Sequence, residues 1–510
     1  MKKVVVIANR YVDSVSLMAV SAKVMKLDGV SNAESGMGTP ANLEVLIDDL
    51  GYDIPEVTPN DLIMAVTTDT EEQAEAAMKT MRDLIDHKEG DGSVSYKSLS
   101  EIDLREDEYD LVQISLPGEY AHAEAKRALS MGLDVFIFSD NVSLEEEADL
   151  KKYGTEKGRL VMGPDCGVGL IKGVALGAGS IVRPGPVGIV GASGSGCQEV
   201  SCIVERLGLG VSSIIGTGGH DLLPEIGGIT MLAGMRKLED DPDTKVIVLV
   251  SKLANLDVMA KVLGVADRLT KPVVTIFLGA DEKLYEGHNV YGTFSLEEAA
   301  RKAVELCTGK APEMGYTDEE IKAMVAEKVA ALRPEQKYVR GLFSGGTFTE
   351  EGMIYYTQHN KGVKLNSNLN TKYSTQIPDH DVSVGHCILD LGAEDFTAEA
   401  PHPVFDPILK LKRLKKEIAD PTVAVVTMDF IMGPGVAADP VTPFANECKA
   451  LKDAGSNLIF ISNVCGSLED PQDTLAAEKM LADAGVIVTR SNYESTKLAS
   501  AFLAALEERG

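Results

Sequence analysis

A chain of 510 residues is too long for one hydrophobic core and predicts about three or four units of ordinary domain size. With 44% hydrophobic and 25% charged residues it reads as a globular protein, which excludes a disordered chain. Its 78 acidic residues against 49 basic ones give a formal net charge of −29, a surface that repels nucleic acid and anionic lipid, so neither is expected as a partner. Seven cysteines with no regular spacing and no C-x-x-C pair fit a reducing cytosol, so a cytoplasmic location is expected. The opening run from Met1 to Arg10 is too short for a signal peptide and reads as a strand; no apolar run approaches membrane-spanning length.

Short apolar runs alternate with amphipathic stretches along almost the whole chain. Candidate strands are Lys3–Ala8, Leu62–Thr68, Leu111–Leu116, Val135–Ser139, Val187–Val190, Val246–Val250, Val273–Leu278, Val423–Met428, Leu458–Ile461 and Val486–Thr489. Helical spacing lies between most of them, as over Glu119–Gly132 and Leu296–Leu306. This alternation predicts an α/β fold of doubly wound parallel sheets, with ligands at the carboxyl ends of the strands. Asp86 to Asp107 is polar and reads as a surface excursion, and Thr317-Asp-Glu-Glu320 is a capping-box start for a helical connector.

Several loops follow candidate strands and carry polar or small residues. Gly36 to Asn42, with Thr39 and Asn42, is either an anion seat or a capped helix start. Leu160 to Gly167 presents Pro164, Asp165 and Cys166 at a strand end, or is simply a buried turn. Val187 to Glu199 runs from a strand through a small-residue turn into a helix. Gly191, Gly194 and Gly196 would let an anion reach the unpaired amides of the first helical turn, with Ser193 and Ser195 adding hydroxyls; the alternative is a glycine turn that binds nothing. Cys197 opens that helix, where the dipole would lower its pKa. Ile214 to Asp221 offers Gly216, Gly218 and Gly219, with His220 as a proton donor or acceptor and Asp221 to orient it, or else a surface loop. Gly341 to Thr347 repeats the texture of Gly188 to Gly196, which suggests two similar units in tandem. Asp379, His380, Asp381, His386, His402 and Asp406 could each ligate a metal, yet their spacing fits no ligand pattern, and no metal is expected.

In combination these motifs resemble a known superfamily. A Gly-Pro-Asp-Cys loop, the strand entering Ser-Gly-Ser-Gly, a Gly-x-Gly-Gly loop and a strand at Lys271-Pro-Val-Val-Thr275 follow one another as in the α subunit of succinyl-CoA synthetase, among the NDP-forming acyl-CoA synthetases. The chain resembles most closely the FdrA branch. That likeness rests on Asp13-Ser-Val-Ser-Leu-Met18, Met37–Asn42, Phe138–Glu145, Val161–Gly167, Glu225–Gly228, Leu342–Thr347, Leu389-Asp-Leu-Gly392 and Pro401–Pro407. The resemblance implies a Rossmann-like CoA-binding-type domain over 1–182 and a flavodoxin-like domain over 183–310. A helical linker over 311–337 and a second flavodoxin-like domain over 338–510 would follow.

It also implies function. Related ligases carry a phosphorylated histidine in a Gly-His-Ala-Gly-Ala loop; here His288 follows a glycine but lacks the small residues around it, and no ATP-grasp domain is evident. The first expectation is therefore an FdrA-type subunit of an oxamate carbamoyltransferase in purine (allantoin) catabolism, exchanging a carbamoyl group between carbamoyl phosphate and oxamate, with no cofactor required. On this reading Ser193 and His220 are catalytic, while Gly191, Ser193, Gly194, Ser195, Gly196, Gly218 and Gly219 hold phosphate. Thr39, Asn42, Pro164, Asp165 and Cys166 bind the second substrate. The alternative is an acyl-CoA synthetase subunit with CoA as cofactor, a separate ATP-grasp partner and His288 as phosphate carrier; a third is a non-catalytic scaffold. Each expects a small anionic phosphorylated ligand, partner subunits encoded nearby and an oligomer.

Overall fold

The computed structural model describes all residues except 13, 87–97, 103, 105–108, 399 and 510. Most of the Asp86–Asp107 excursion, and Asp13 of the first FdrA-like segment, thus lie outside the described residues. The chain divides into two compact units, Met1–Ser98 with Thr397–Pro401, and Leu99–Phe396 with His402–Gly510.

In the first unit β1 (Lys2–Ile7), β2 (Val30–Met37) and β3 (Leu62–Thr68) form an antiparallel sheet in the order β1-β3-β2. Alternate residues of β3 serve two cores. Leu62, Met64 and Val66 pack with Leu17, Val24, Ala74 and Met81, while Ile63 and Ala65 pack with Leu46 and Tyr52. This corrects the expectation of one Rossmann-like domain over 1–182. A strand–helix–strand pattern appears whichever way the next strand runs, so hydrophobic spacing alone cannot fix direction.

The second unit holds the parallel sheets. β4 (Leu111–Ile114), β5 (Asp134–Ile137) and β6 (Val161–Met162) form a small one, and β7 (Val168–Ile171) and β8 (Val174–Gly177) form a hairpin. That hairpin joins β9 (Val187–Gly191), β10 (Val211–Gly216), β11 (Val246–Lys252), β12 (Val273–Leu278) and β13 (Tyr291–Thr293) in a seven-stranded sheet of order β13-β12-β11-β9-β10-β7-β8. Helix Asp318–Ala330 follows, with both hydrogen bonds of the Thr317/Glu320 capping box made. A second seven-stranded sheet contains β14 (Tyr338–Phe343), β15 (Leu365–Ser367), β16 (Thr375–Gln376), β17 (His386–Asp390), β18 (Val423–Ile431), β19 (Ile459–Cys465) and β20 (Ile487–Thr489). Its order is β16-β15-β17-β14-β18-β19-β20. Every residue of β9, β12, β18 and β19 is buried, as parallel strands covered on both faces require.

Both large sheets have a switch point. β9 lies between β10 and β11, and β14 between β17 and β18, so the chain leaves each central strand toward both sides and opens a crevice at its carboxyl end. Each central strand feeds a helix: Gly194–Arg206 after β9 and Gly346–His359 after β14. The two helices share one core through Cys197, Val200, Phe348 and Met353. Their flanks carry the buried carboxyls Glu199 and Glu351, with Glu297 nearby; Asn492 N donates to Glu199 at 2.7 Å and Leu296 N to Glu351 at 2.9 Å.

Candidate functional site

The starts of these two helices meet. Ser193 caps the first: its Oγ accepts the Gly196 N–H at 3.1 Å, and it lies 2.7 Å from Thr347 Oγ1 in the first turn of the second helix. A Cβ placed on Gly345 would come within 3.7 Å of Ser195 Oγ. Two positive helix ends thus face one another, and position alone leaves the first-turn amides of both without intrahelical acceptors. Four hydroxyl residues lie in these two turns, Ser193 and Ser195 in the first and Ser344 and Thr347 in the second.

Charged side chains from two strand ends complete the surroundings. A Cβ on Gly346 would lie 3.0 Å from Asp390 Oδ2, at the end of β17, and 3.1 Å from Lys252 Nζ, at the end of β11. Lys252 is half-exposed and pairs with Glu350 at 2.9 Å. Asp390 is 6% exposed; Oδ1 accepts the Gly392 N–H at 2.9 Å, and Oδ2 has no hydrogen bond among the described residues. Burial pushes its pKa up to about 6. Behind it, Asp429 on β18 holds the 344 turn: Oδ1 accepts Ser344 N at 2.8 Å and Lys410 Nζ at 2.8 Å, while the buried Oδ2 is unpartnered. His402 adjoins the same turn, since a Cβ on Gly392 would meet both His402 Nε2 and Ser344 O. Its Nδ1 accepts the Val404 N–H at 3.2 Å, and burial pushes its pKa down to about 4, so the ring is neutral near pH 7.

The other expected site residues are placed as follows. A Cβ on Gly191 would strike Cys197 Sγ at 2.2 Å, and one on Gly196 would strike Ser193 Oγ at 2.6 Å; a Cβ on Gly194 would meet only Val168, at an ordinary 3.5 Å. Cys197 is buried behind Gly191, and burial raises its pKa, which corrects the expectation that the helix dipole lowers it. Cys166 points into the core against Gly216, with its pKa pushed up to about 12, so its thiol does not face a substrate. Pro164 is buried behind a cis peptide and Asp165 is exposed at φ +53°. Gly218, at φ +80°, makes room for the Pro164 carbonyl, which a Cβ would strike at 2.1 Å; a Cβ on Gly219 would lie 3.6 Å from Asp165 Oδ2. Chain packing therefore accounts for Gly218.

His220 is 47% exposed and its Nδ1 faces Glu147 Oε2 at 3.3 Å. Asp221 does not orient it. Fully buried, it pairs with Lys151 at 2.8 Å and accepts the Thr230 and Met231 N–H groups, capping a helix whose N-cap, Gly228, has no side chain. Thr39 and Asn42 belong to the first unit and hold their own turn, Asn42 Nδ2 donating to Met37 O at 2.8 Å, as a capped helix start would. His288 stands at the wrong end of its sheet for a carrier. It is bound to Asp267 at 2.8 Å, just after the helix that leads into β12, and it precedes Tyr291, which pairs with Val274 near the start of β12. Asp381 pairs with Lys416 and His386 with Glu507; among the described residues no group of three His, Cys, Asp or Glu side chains could hold a metal ion.

Comparison with known proteins fits this architecture. The chain is 39% identical to YahF of Escherichia coli strain K12 over 99% of both chains. It belongs to the same family. Family models for a CoA binding domain match residues 182–279, for CoA-ligase 342–502, and for "AllF, heavy metal-associated domain" 1–99. The chain is thus an FdrA-like, acyl-CoA-synthetase-like protein in which a CoA-binding-type and a CoA-ligase-type domain are fused. It is also 27% identical to the succinate–CoA ligase [ADP-forming] subunit alpha 2 of Archaeoglobus fulgidus, over 46% of this chain and 81% of that one. With the malate–CoA ligase subunit alpha of Methylorubrum extorquens it shares 27% identity over 26% of this chain and 44% of that one. Among solved structures, PH0766 from Pyrococcus horikoshii OT3 covers 84% of this chain and 90% of its own, at 15% identity and a TM-score of 0.35. Among the described residues no helix is long and apolar enough to cross a membrane.

Proposed function

We propose that the chain is the phosphate-gripping subunit of an acyl-CoA-synthetase-like enzyme, which moves a carbonyl group between phosphate and a small acceptor. The observation that carries this is the 2.7 Å contact between Ser193 Oγ and Thr347 Oγ1, which sets two helix N-termini against one another with Lys252 alongside. Oriented amides and an ammonium stabilise the charge that collects on phosphate as the carbonyl carbon leaves it. In so acidic a chain this local field substitutes for a basic surface.

Two acceptors fit. The CoA-binding and CoA-ligase domains and the ligase relatives favour a CoA thiol, with a nucleotide-binding partner subunit. The FdrA resemblance favours oxamate with carbamoyl phosphate as donor, and the placement of His288 supports it, because carbamoyl transfer needs no phosphohistidine. Calorimetric titration with CoA separates the two: micromolar binding supports the ligase reading, and its absence supports the carbamoyl reading. Reconstitution with neighbouring gene products, assayed for oxalurate and for acid-labile label on His288, completes the test. Normal phosphate inhibition after replacement of both Ser193 and Thr347 by bulky residues would refute the grip itself.

A further inference from the structure

Lys252 and Asp390 belong to none of the motifs read as phosphate-binding, yet they flank the first residue of the second helix. The Gly346 position is decisive. A side chain there would fill the space between Asp390 Oδ2, at 3.0 Å, and Lys252 Nζ, at 3.1 Å, so glycine keeps both groups open to whatever sits against the helix end. Asp390 is 94% buried by its 6% exposure, and only its Oδ1 is engaged, by the Gly392 amide. A carboxyl set this deep, with its free oxygen turned to the opening beside Gly346, favours its neutral form unless a ligand or a cation balances its charge.

We propose that Asp390 is a proton-bearing catalytic residue of this site: its carboxyl donates through Oδ2 to the bound oxyanion, and Lys252 supplies the neighbouring positive charge. The inference rests on the phosphate-gripping reading. An ionised carboxylate beside a doubly charged anion is repelled, whereas a protonated one adds a hydrogen bond, so the anion binds together with one proton. The charged groups facing Asp390 are Lys252 from β11, which is paired with Glu350 of the second helix, and Asp429 from β18, itself neutralised by Lys410. His402, neutral beside Asp429, adds no charge near pH 7.

In the transfer step a bond forms between the attacking nitrogen or sulfur and the carbonyl carbon. The bond from that carbon to the bridging phosphate oxygen breaks, and its electron pair leaves with phosphate. Asp390 gives its proton to that oxygen and takes the proton of the attacking atom, which restores the carboxyl.

Sulfate, which does not titrate between pH 6 and pH 8, tests this on the full chain without knowledge of the acceptor. Calorimetry of wild-type protein in two buffers of different ionisation heat should show roughly one proton taken up per sulfate at pH 7, and sulfate affinity should fall about tenfold per unit as pH rises above 6. D390N should bind sulfate with an affinity that is nearly flat in pH, while K252M should bind more weakly at every pH with the slope kept. Wild-type binding without proton uptake, or an unchanged slope in D390N, overturns the role of Asp390 and leaves the grip standing. No sulfate binding by wild-type protein, or binding indifferent to bulky replacement of both Ser193 and Thr347, overturns the grip and this proposal with it.

Discussion

The turn after β9 and the turn after β10 stand side by side in one sheet, and both are rich in glycine. After β9, Gly194 would accept a Cβ with only an ordinary contact to Val168, and the loop delivers a capped helix start to a second helix start. After β10, Gly218 is filled from behind by the Pro164 carbonyl, and the loop ends on Asp221, which is spent on Lys151 and the cap of the next helix. Glycine therefore does two jobs. It can open backbone amides to a ligand, or let one stretch of chain lie against another. What a Cβ would meet tells Gly194 from Gly218, while at Gly219, which is as open as Gly194, the surrounding contacts decide.

The sharpest way to break this contrast is to fill Gly346. G346V places a branched side chain between Asp390 and Lys252, and sulfate affinity should drop by about 100-fold or more, the scale of losing an oxyanion donor. The thermal midpoint should move little, because the half-exposed Lys252 has room to turn aside from the new side chain. The mirror experiment is G218A. At φ +80° with a carbonyl 2.1 Å from the new methyl, it should cost about 3 kcal/mol in denaturant titration and leave sulfate affinity of the folded protein unchanged. Equal behaviour of the two variants would end the distinction.

Why the sequence exposed half of this site and hid the rest follows from range. The β9 turn and its helix are contiguous, so strand, small residues and helical spacing are visible in thirteen letters from Val187 to Glu199. Thr347 comes from a second sheet, and Lys252 and Asp390 from strand ends far apart in the chain; only the fold brings them to Gly346. The likeness of Gly341–Thr347 to Gly188–Gly196 was the available clue, since two such turns at two switch points are able to meet. Asp221 misled for the opposite reason: adjacency to His220 implied a pair, whereas helix Ile229–Asp240, which starts without a side-chain cap, claims its carboxylate. Likewise the central strands of both large sheets are legible as apolar runs, but the antiparallel order of the first 98 residues is not, because pairing direction leaves no local mark.

The join behind the cradle gives a smaller, pH-dependent effect. Burial pushes Glu199 and Glu351 up to about 7, and Glu297 is raised as well, so the folded chain holds protons there that an unfolded chain releases near the ordinary carboxyl value. Stability is therefore full below about pH 4.5 and is lost as pH climbs toward 7, with no further loss above. Replacing Glu351 by Gln, which cannot ionise, should recover about 3 kcal/mol at pH 8 and next to nothing at pH 4.5. Denaturant titrations at the two pH values check the sign; a larger gain at the acidic value would contradict it.

The least effect is expected at His220. Its ring is half-exposed and bound to Glu147, and its loop owes its glycine at 218 to Pro164, so nothing in its setting depends on an anion at the helix ends. H220Q keeps a hydrogen-bonding side chain of similar reach. Sulfate affinity should then change less than roughly twofold, under about 0.4 kcal/mol, across pH 6 to 8. Calorimetry on this variant beside D390N sharpens the comparison of the two turns. Loss of the pH slope in H220Q with the slope intact in D390N would transfer the proton-bearing role to the β10 turn, and the glycines there would need a ligand after all.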